Sequence, residues 1–404
     1  MKKREDIELL APAGSFEALV AAVQNGANAI YLGGQKFGAR AFAHNFDYAA
    51  LKEAVDYCHL RNVKLYVTVN TLYNNAEIDE IFDYLKYLYH IGVDALIIQD
   101  MGLFSLIKNH FPDIEIHMST QASVRNIEGV KYFAKQNIDR VVLAREMNIR
   151  EIEEICHNCS IDIEVFVHGA LCMSYSGQCL MSSMIAKRSG NKGECGQPCR
   201  LPYSLLEDNK IIKKQKYLLS PMDLCTIEKV PKLIDAGIKS FKIEGRMKTP
   251  FYVGTVIKAY REAIDDYLES PEKYESRKNY YIEEISKASH RDFTTGFYFG
   301  KPGASEQVYT NNSYIRDYDF VGMVEEDYDE STGCAVIMQR NKFEVGDELE
   351  IFPAKGESVK FTVTEMWDEN GVPVQSAPHP KQILRVKLPV SVKKYDMIRK
   401  EIKE

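Results

Sequence analysis

Four cysteines, Cys172, Cys179, Cys195 and Cys199, fall within 28 residues as C-x6-C-x15-C-x3-C. Thiols grouped this way bind iron or zinc, close a redox disulfide, or pack as inert side chains. The chain opens M-K-K-R-E-D-I-E-L-L-A-P, without the apolar run of a secretory leader, and has nine cysteines in 404 residues. A reducing cytoplasm is therefore expected, where local cysteine groups hold metal more often than disulfides. Structural zinc favours paired C-x2-4-C knuckles, and only Cys195 and Cys199 are spaced that way. Iron–sulfur motifs tolerate wider spacing, which favours an iron–sulfur cluster, of the 4Fe–4S type if all four thiolates bind. Glycines at 169, 177, 190, 193 and 196 let the chain wrap closely around such a group.

Other residues with chemical potential surround the motif. His168 directly precedes its first glycine. It reads as an acid–base group or cluster neighbour, or as a strand-end histidine satisfied by backbone. Lys187, Arg188, Lys192 and Arg200 flank the cysteines against a single Glu194. They form a seat for a phosphate backbone, or a solvated basic surface. Glu244 and Arg246, in F-K-I-E-G-R, grip a carboxylate-bearing co-substrate or pair with each other. Protease signatures are missing: no H-E-x-x-H occurs, and no G-x-S-x-G elbow surrounds Ser174 or Ser176. A Cys172–His168 thiol pair would need a helix to bring side chains four apart together, and this segment runs from strand into glycine-rich loop.

These residues need a frame. Hydrophobic residues at 45%, charged residues at 27% and a net charge of −7 describe an ordinary globular protein without a uniformly basic surface. No run of 18 apolar residues occurs, so no membrane span is expected. Eight β-rich segments alternate with amphipathic helical stretches: 7–11, 29–33, 64–69, 95–99, 115–119, 140–144, 162–167 and 240–244. Several are apolar throughout, as strands buried on both faces of a parallel sheet must be. Eight such units predict an α/β fold, a (β/α)8 TIM-like barrel, although a doubly wound open sheet alternates in the same way. Polar residues after the strands would then line one mouth: Asn70, Asp100, Gln121, Arg145, Glu146, His168, Glu244 and Arg246. From about residue 318 the pattern changes to short alternating strands with turn signals, which predicts a small C-terminal all-β barrel domain over 318–404. Residues 1–300 then form the catalytic domain, with the cysteine insertion at about 168–200.

E-V-F-V-H-G-A-L-C-M-S-Y-S-G-Q-C-L-M-S-S resembles the signature of the collagenase-like peptidase family U32. So do L-L-A-P-A-G-S, F-G-A-R-A-F-A-H-N-F, M-S-T-Q-A-S at 118–123, F-K-I-E-G-R at 241–246 and F-T-T-G-F-Y-F-G, which together span nearly the whole chain. Despite its name, that family includes bacterial hydroxylases of RNA, acting on the wobble uridine of tRNA or on a cytidine of 23S rRNA, and relatives that hydroxylate the ubiquinone ring. The resemblance implies a cysteine-ligated iron–sulfur cluster, with Cys172, Cys179, Cys195 and Cys199 as ligands and Cys225 as a fifth candidate. It implies prephenate as co-substrate, RNA (tRNA before rRNA) as partner, and a paralogous partner subunit, since some relatives act in pairs. Catalytic roles then fall to His168, Gln121, Glu244 and Arg246, and substrate contacts to Arg145, Lys187, Arg188 and Arg200. The competing readings are a collagenase-like peptidase and hydroxylation of rRNA cytidine.

Overall fold

The computed structural model describes residues 3–40, 45–311 and 313–403. Residues 41–44, within F-G-A-R-A-F-A-H-N-F, lie outside them. Eight parallel strands, Glu8–Pro12, Ala29–Leu32, Lys64–Val69, Ala95–Ile98, Glu115–Met118, Arg140–Val142, Asp162–Ala170 and Ser240–Ile243, pair each with the next. The eighth pairs with both the first and the seventh, Leu9 opposite Phe241 and Ser240 opposite Glu164. That double pairing closes the sheet into a barrel and excludes the open doubly wound alternative.

Helices begin where polar side chains cap them. Ser15, Asp47, Asn126 and Thr249 each accept from a backbone N–H three residues on. Gly26, at φ 99°, follows the helix Phe16–Gln24 as a left-handed stop. The seventh strand runs three residues past its predicted end. Asp223–Cys225 pairs antiparallel with His168–Ala170 and continues the ladder beyond the barrel rim.

After the barrel, the helix Pro250–Glu269 lies between the helix Phe16–Gln24 and the C-terminal sheet. That sheet is a seven-stranded antiparallel half-barrel, ordered Val359–Thr362, Glu348–Phe352, Met397–Glu401, Tyr318–Val324, Cys334–Gln339, Ile383–Lys387, Met366–Asp368. It has its own apolar core, including Val321, Ile337, Leu384 and Ile398. The two parts meet closely. Phe251 stacks on Phe320 with centroids 5.7 Å apart, and a Cβ on Gly254 would stand 2.6 Å from Met397. Arg399, fully buried, bridges Glu284 of the helix Pro271–Ser286 and Glu350 of the sheet. Among the described residues no helix is long and apolar enough to cross a membrane.

Candidate functional site

The C-terminal ends of the strands floor a cavity of about 320 Å³. Arg246 lies across this floor, 4% exposed, and donates from Nη1 to Thr68 Oγ1 at 2.7 Å. A Cβ on Gly33 would sit 2.3 Å from that same nitrogen, so the second strand must end in glycine for the guanidinium to pass. Glu244 pairs with Arg40 at 3.1 Å. The expected Glu244–Arg246 pair is not formed; among the described residues Arg246 has no carboxylate within salt-bridge distance. The physical reason is reach: E-G-R turns the two side chains apart, and Arg40 arrives from the loop after the second strand. Burial, then repulsion from Arg40, pulls the Arg246 guanidinium down to about 10. Asn70 and Ser119, hydrogen-bonded to each other at 3.2 Å, complete a neutral polar edge.

The cysteine loop forms the opposite wall, tied down at several points. Gly177, at φ 74°, presses on the short turn Thr120–Ala122 that follows the fifth strand: a Cβ there would lie 2.1 Å from the Gln121 carbonyl oxygen. Glu146 Oε1 accepts from both the backbone N–H and the hydroxyl of Ser176, each at 3.0 Å. Arg145 donates to the Ala170 carbonyl and covers the Phe166 ring at 3.8 Å. Arg200 is buried and donates to Ser220 Oγ at 2.8 Å, to the Pro221 carbonyl and to the Leu171 carbonyl at 3.2 Å. Lys192 reaches across to Glu77 at 2.8 Å.

Held in this way, Cys172, Cys179, Cys195 and Cys199 all line the one cavity, as free thiols. Burial raises the Cys172 thiol although it is open to the cavity, and Cys179 and Cys195 add to the effect. Cys199 is raised by burial too, and by its three neighbours. Arg145 and Arg200 act in the opposite sense, favouring thiolate at Cys172 and Cys199 respectively. Among the described residues no three His, Cys, Asp or Glu side chains stand close enough to hold a single metal ion. Zinc needs every thiolate about 2.3 Å from one point, whereas a polynuclear cluster offers each thiolate its own iron. Four thiols on one cavity, with cations behind them, are the kind of donor set that a polynuclear cluster takes.

Gln121, Glu244, Arg246, Arg145 and Arg200 line the same cavity as the thiols. Four candidates for a catalytic, substrate-binding or ligand role do not. His168 is 2% exposed behind the wall, among the rings of Tyr252, Tyr260 and Phe293. A bulge sends it there: Phe166 pairs with Lys242 and His168 with Ile243, so the extra residue reverses the side on which the strand's next side chain emerges. Burial, with help from His290 and Lys248, pushes its imidazole down to about 3, which keeps it neutral. Lys187 and Arg188 are exposed on the loop and do not line the cavity. Cys225, opposite His168 in the strand pairing, is likewise off the cavity, and burial pushes its thiol up to about 12. Residues that the sequence did not single out take these places: Arg40, Thr68 and Tyr314, beside Lys248 of the basic set Lys239, Lys242, Arg246 and Lys248 that surrounds the eighth strand. Their signals were a lone threonine in the apolar strand K-L-Y-V-T-V and basic residues just beyond strand ends.

The model of peptidase family U32 matches residues 14–308, and that of the U32 C-terminal domain matches 316–399. The chain is 40% identical over 400 residues to "tRNA hydroxylation protein P1" of Bacillus subtilis (strain 168), covering 97% of this chain and 94% of that one. It is 38% identical over 303 residues to "23S rRNA 5-hydroxycytidine C2501 synthase" of Escherichia coli (strain K12), covering 74% of this chain and 46% of that one. It is also 31% identical over 371 residues to a "Collagenase" of Porphyromonas gingivalis (strain ATCC BAA-308 / W83), covering 86% of each. With both of its parts matched, the chain belongs to peptidase family U32.

Proposed function

We propose that this chain is an RNA-modifying hydroxylase of the cytoplasm that converts the wobble uridine of tRNA to 5-hydroxyuridine. The observation that carries the reading is the meeting of four thiols and an excess of buried cations on one cavity. Relatives named for tRNA and rRNA hydroxylation support the choice of RNA, and full-length similarity to the tRNA protein favours tRNA over rRNA. On this reading Cys172, Cys179, Cys195 and Cys199 hold an iron–sulfur cluster. Such a cluster supplies one-electron redox steps when bound.

The remaining residues bind and orient. Among the described residues lining the cavity Glu244 is the one carboxylate, and it faces Arg40, Arg145, Arg246 and Lys248. A dicarboxylate co-substrate such as prephenate suits that imbalance, each carboxylate taking a guanidinium fork. Glu244 holds Arg40 in place, and Thr68 holds Arg246. The reacting base must be unstacked to enter, a condition an anticodon loop already meets.

The peptidase alternative lacks a nucleophile–base pair: among the described residues, no histidine lines the cavity with the thiols. Nucleoside mass spectrometry of tRNA and 23S rRNA from a deletion strain tests the reading. 5-Hydroxyuridine and its derivatives should disappear from tRNA and return with the wild-type chain but not with Cys195→Ser, which should also purify anaerobically without iron. Unchanged RNA, with gelatin cleavage that depends on the cavity cysteines, would transfer the chain to the peptidases.

A further inference from the structure

Beyond Arg200 the chain leaves the barrel. Tyr203–Glu207 and Lys210–Lys216 pair with each other and with no other strand among the described residues. Every residue from Ser204 to Lys216 is exposed. Asp208 and Asn209, at φ 48° and 62°, make the mirror-image turn that suits a twisted hairpin. A two-stranded ribbon with nothing packed on it is marginal in water, so its position depends on its root. There the three hydrogen bonds of buried Arg200 join Leu171, Ser220 and Pro221, beside Cys199. The root is cavity wall, and the arm stands on the rim of the mouth.

The composition of the arm is unlike that of the chain as a whole. Its second strand carries Lys210, Lys213, Lys214 and Lys216, against Glu207 and Asp208, in a protein of net charge −7. Among the described residues none of these four ammonium groups has an ion-pair or hydrogen-bond partner, whereas Lys52, Lys192 and Lys387 elsewhere are paired. Leu206 faces Ile211 across the ribbon, an apolar pair that helps hold the two strands together. The cores of protein interfaces are depleted of lysine. A polyanion suits this surface better than a protein partner does, because each phosphate can take an ammonium without burying it.

We propose that the hairpin 203–216 is an RNA-gripping arm, its four lysines holding phosphates of the strand that leads into the mouth. This rests on the RNA reading above and deepens it. At about 3.3 Å per residue the second strand is roughly 23 Å long, enough to follow several phosphates.

The test is binding of transcribed tRNA by the full chain, followed by fluorescence anisotropy from about 50 to 200 mM salt. Lys210→Gln, Lys213→Gln, Lys214→Gln and Lys216→Gln together should weaken binding. They should also flatten the slope of log affinity on log salt by up to about 3, at roughly 0.7 for each single-strand phosphate no longer neutralised. An unchanged thermal unfolding curve for the variant assigns the weakening to the missing ammonium groups rather than to misfolding. A wild-type chain that binds no RNA overturns the RNA reading itself. Wild-type binding whose affinity and slope survive the four substitutions overturns the arm alone. So does a change of oligomeric state in Leu206→Ser/Ile211→Ser with RNA affinity intact, which would give the arm to a protein partner.

Discussion

Toward the closed end of the barrel, Glu8 and Glu164 face Arg140 and Lys242, the last of which also reaches the cavity wall. At the mouth, Arg40, Arg145, Arg246 and Lys248 face Glu244. Both regions bury charge inside the same eight strands, yet only the first balances it. Lys242 donates to Glu164 Oε1 at 2.7 Å and Arg140 to Glu164 Oε2 at 3.1 Å. Tyr66 and Ser240 donate to the two oxygens of Glu8 at 2.6 and 2.8 Å. Both carboxylates there are met by cations and hydroxyls. At the mouth Arg40 takes the single carboxylate, and the Arg246 and Arg145 guanidiniums lean on a hydroxyl, a carbonyl and an aromatic face instead. Desolvated cations in that state cost stability, which makes sense where an anion arrives later. The contrast separates charge that is matched by carboxylates from charge that is not.

The largest effect should come from breaking the balanced end. Lys242→Met leaves Glu164 buried with one cation fewer and is expected to cost about 3–5 kcal/mol in urea unfolding. Adding Glu164→Gln removes the orphaned charge, so the double variant should regain part of that stability. Acid probes the same pair. Burial alone would raise the Glu164 carboxyl, but Lys242 and Arg140 outweigh it and hold it at about 2, below its ordinary 4.5. A depressed folded-state value means that this stability is complete above about pH 4.5 and drains away as pH falls toward 2. Wild-type unfolding midpoints should therefore drop across that window more steeply than those of Glu164→Gln. Equal slopes would mean that the pair is not what balances the closed end.

Much of this contrast was hidden in the chain, for identifiable reasons. The eight strands were legible because a strand covered on both faces is apolar along its length, as in A-L-I-I and A-I-Y-L. The meeting of the four thiols was legible because it is local, within one loop. Pairings that close over long separations were not: Arg40 meets Glu244 across 204 residues, and Glu8 meets Arg140 across 132. One bulged residue between Phe166 and His168 undid the reading of His168, since no pattern of residue types announces an inserted position in a buried strand. The hairpin escaped notice because I-I-K-K has neither alternation nor a buried face.

An effect of middle size should come from the mouth, and with the opposite sign in the resting protein. Arg246→Met removes a desolvated guanidinium whose described partner is the Thr68 hydroxyl. Without co-substrate, its melting temperature should equal or exceed that of the wild type. With a dicarboxylate co-substrate, removing a charge-assisted hydrogen bond worth about 1.5–3 kcal/mol should raise the KM roughly 10- to 150-fold. Titration calorimetry with prephenate measures the same weakening directly. A variant that is less stable while binding the dicarboxylate normally would show Arg246 to be a structural cation, like Arg140.

The smallest effect should come from Lys192→Gln, and it sharpens the comparison from the other side. Lys192 and Glu77 meet at 2.8 Å, but their side chains are 43% and 29% exposed. Such a pair is screened by water and loses side-chain freedom to form, so its removal should cost under about 1 kcal/mol. Salt supplies the control. The small difference between wild type and variant should vanish as ionic strength rises and the screening length shrinks, while the Lys242–Glu164 pair, with both side chains buried, should be nearly indifferent to salt. The bridge spans from the cysteine loop to the connection after the third strand, so it ties that loop to the barrel with a contact that yields easily. If Lys192→Gln instead destabilised the chain as much as Lys242→Met, the rim would be as much a part of the folding core as the closed end. The opening proposed for RNA and a co-substrate could not then be placed there.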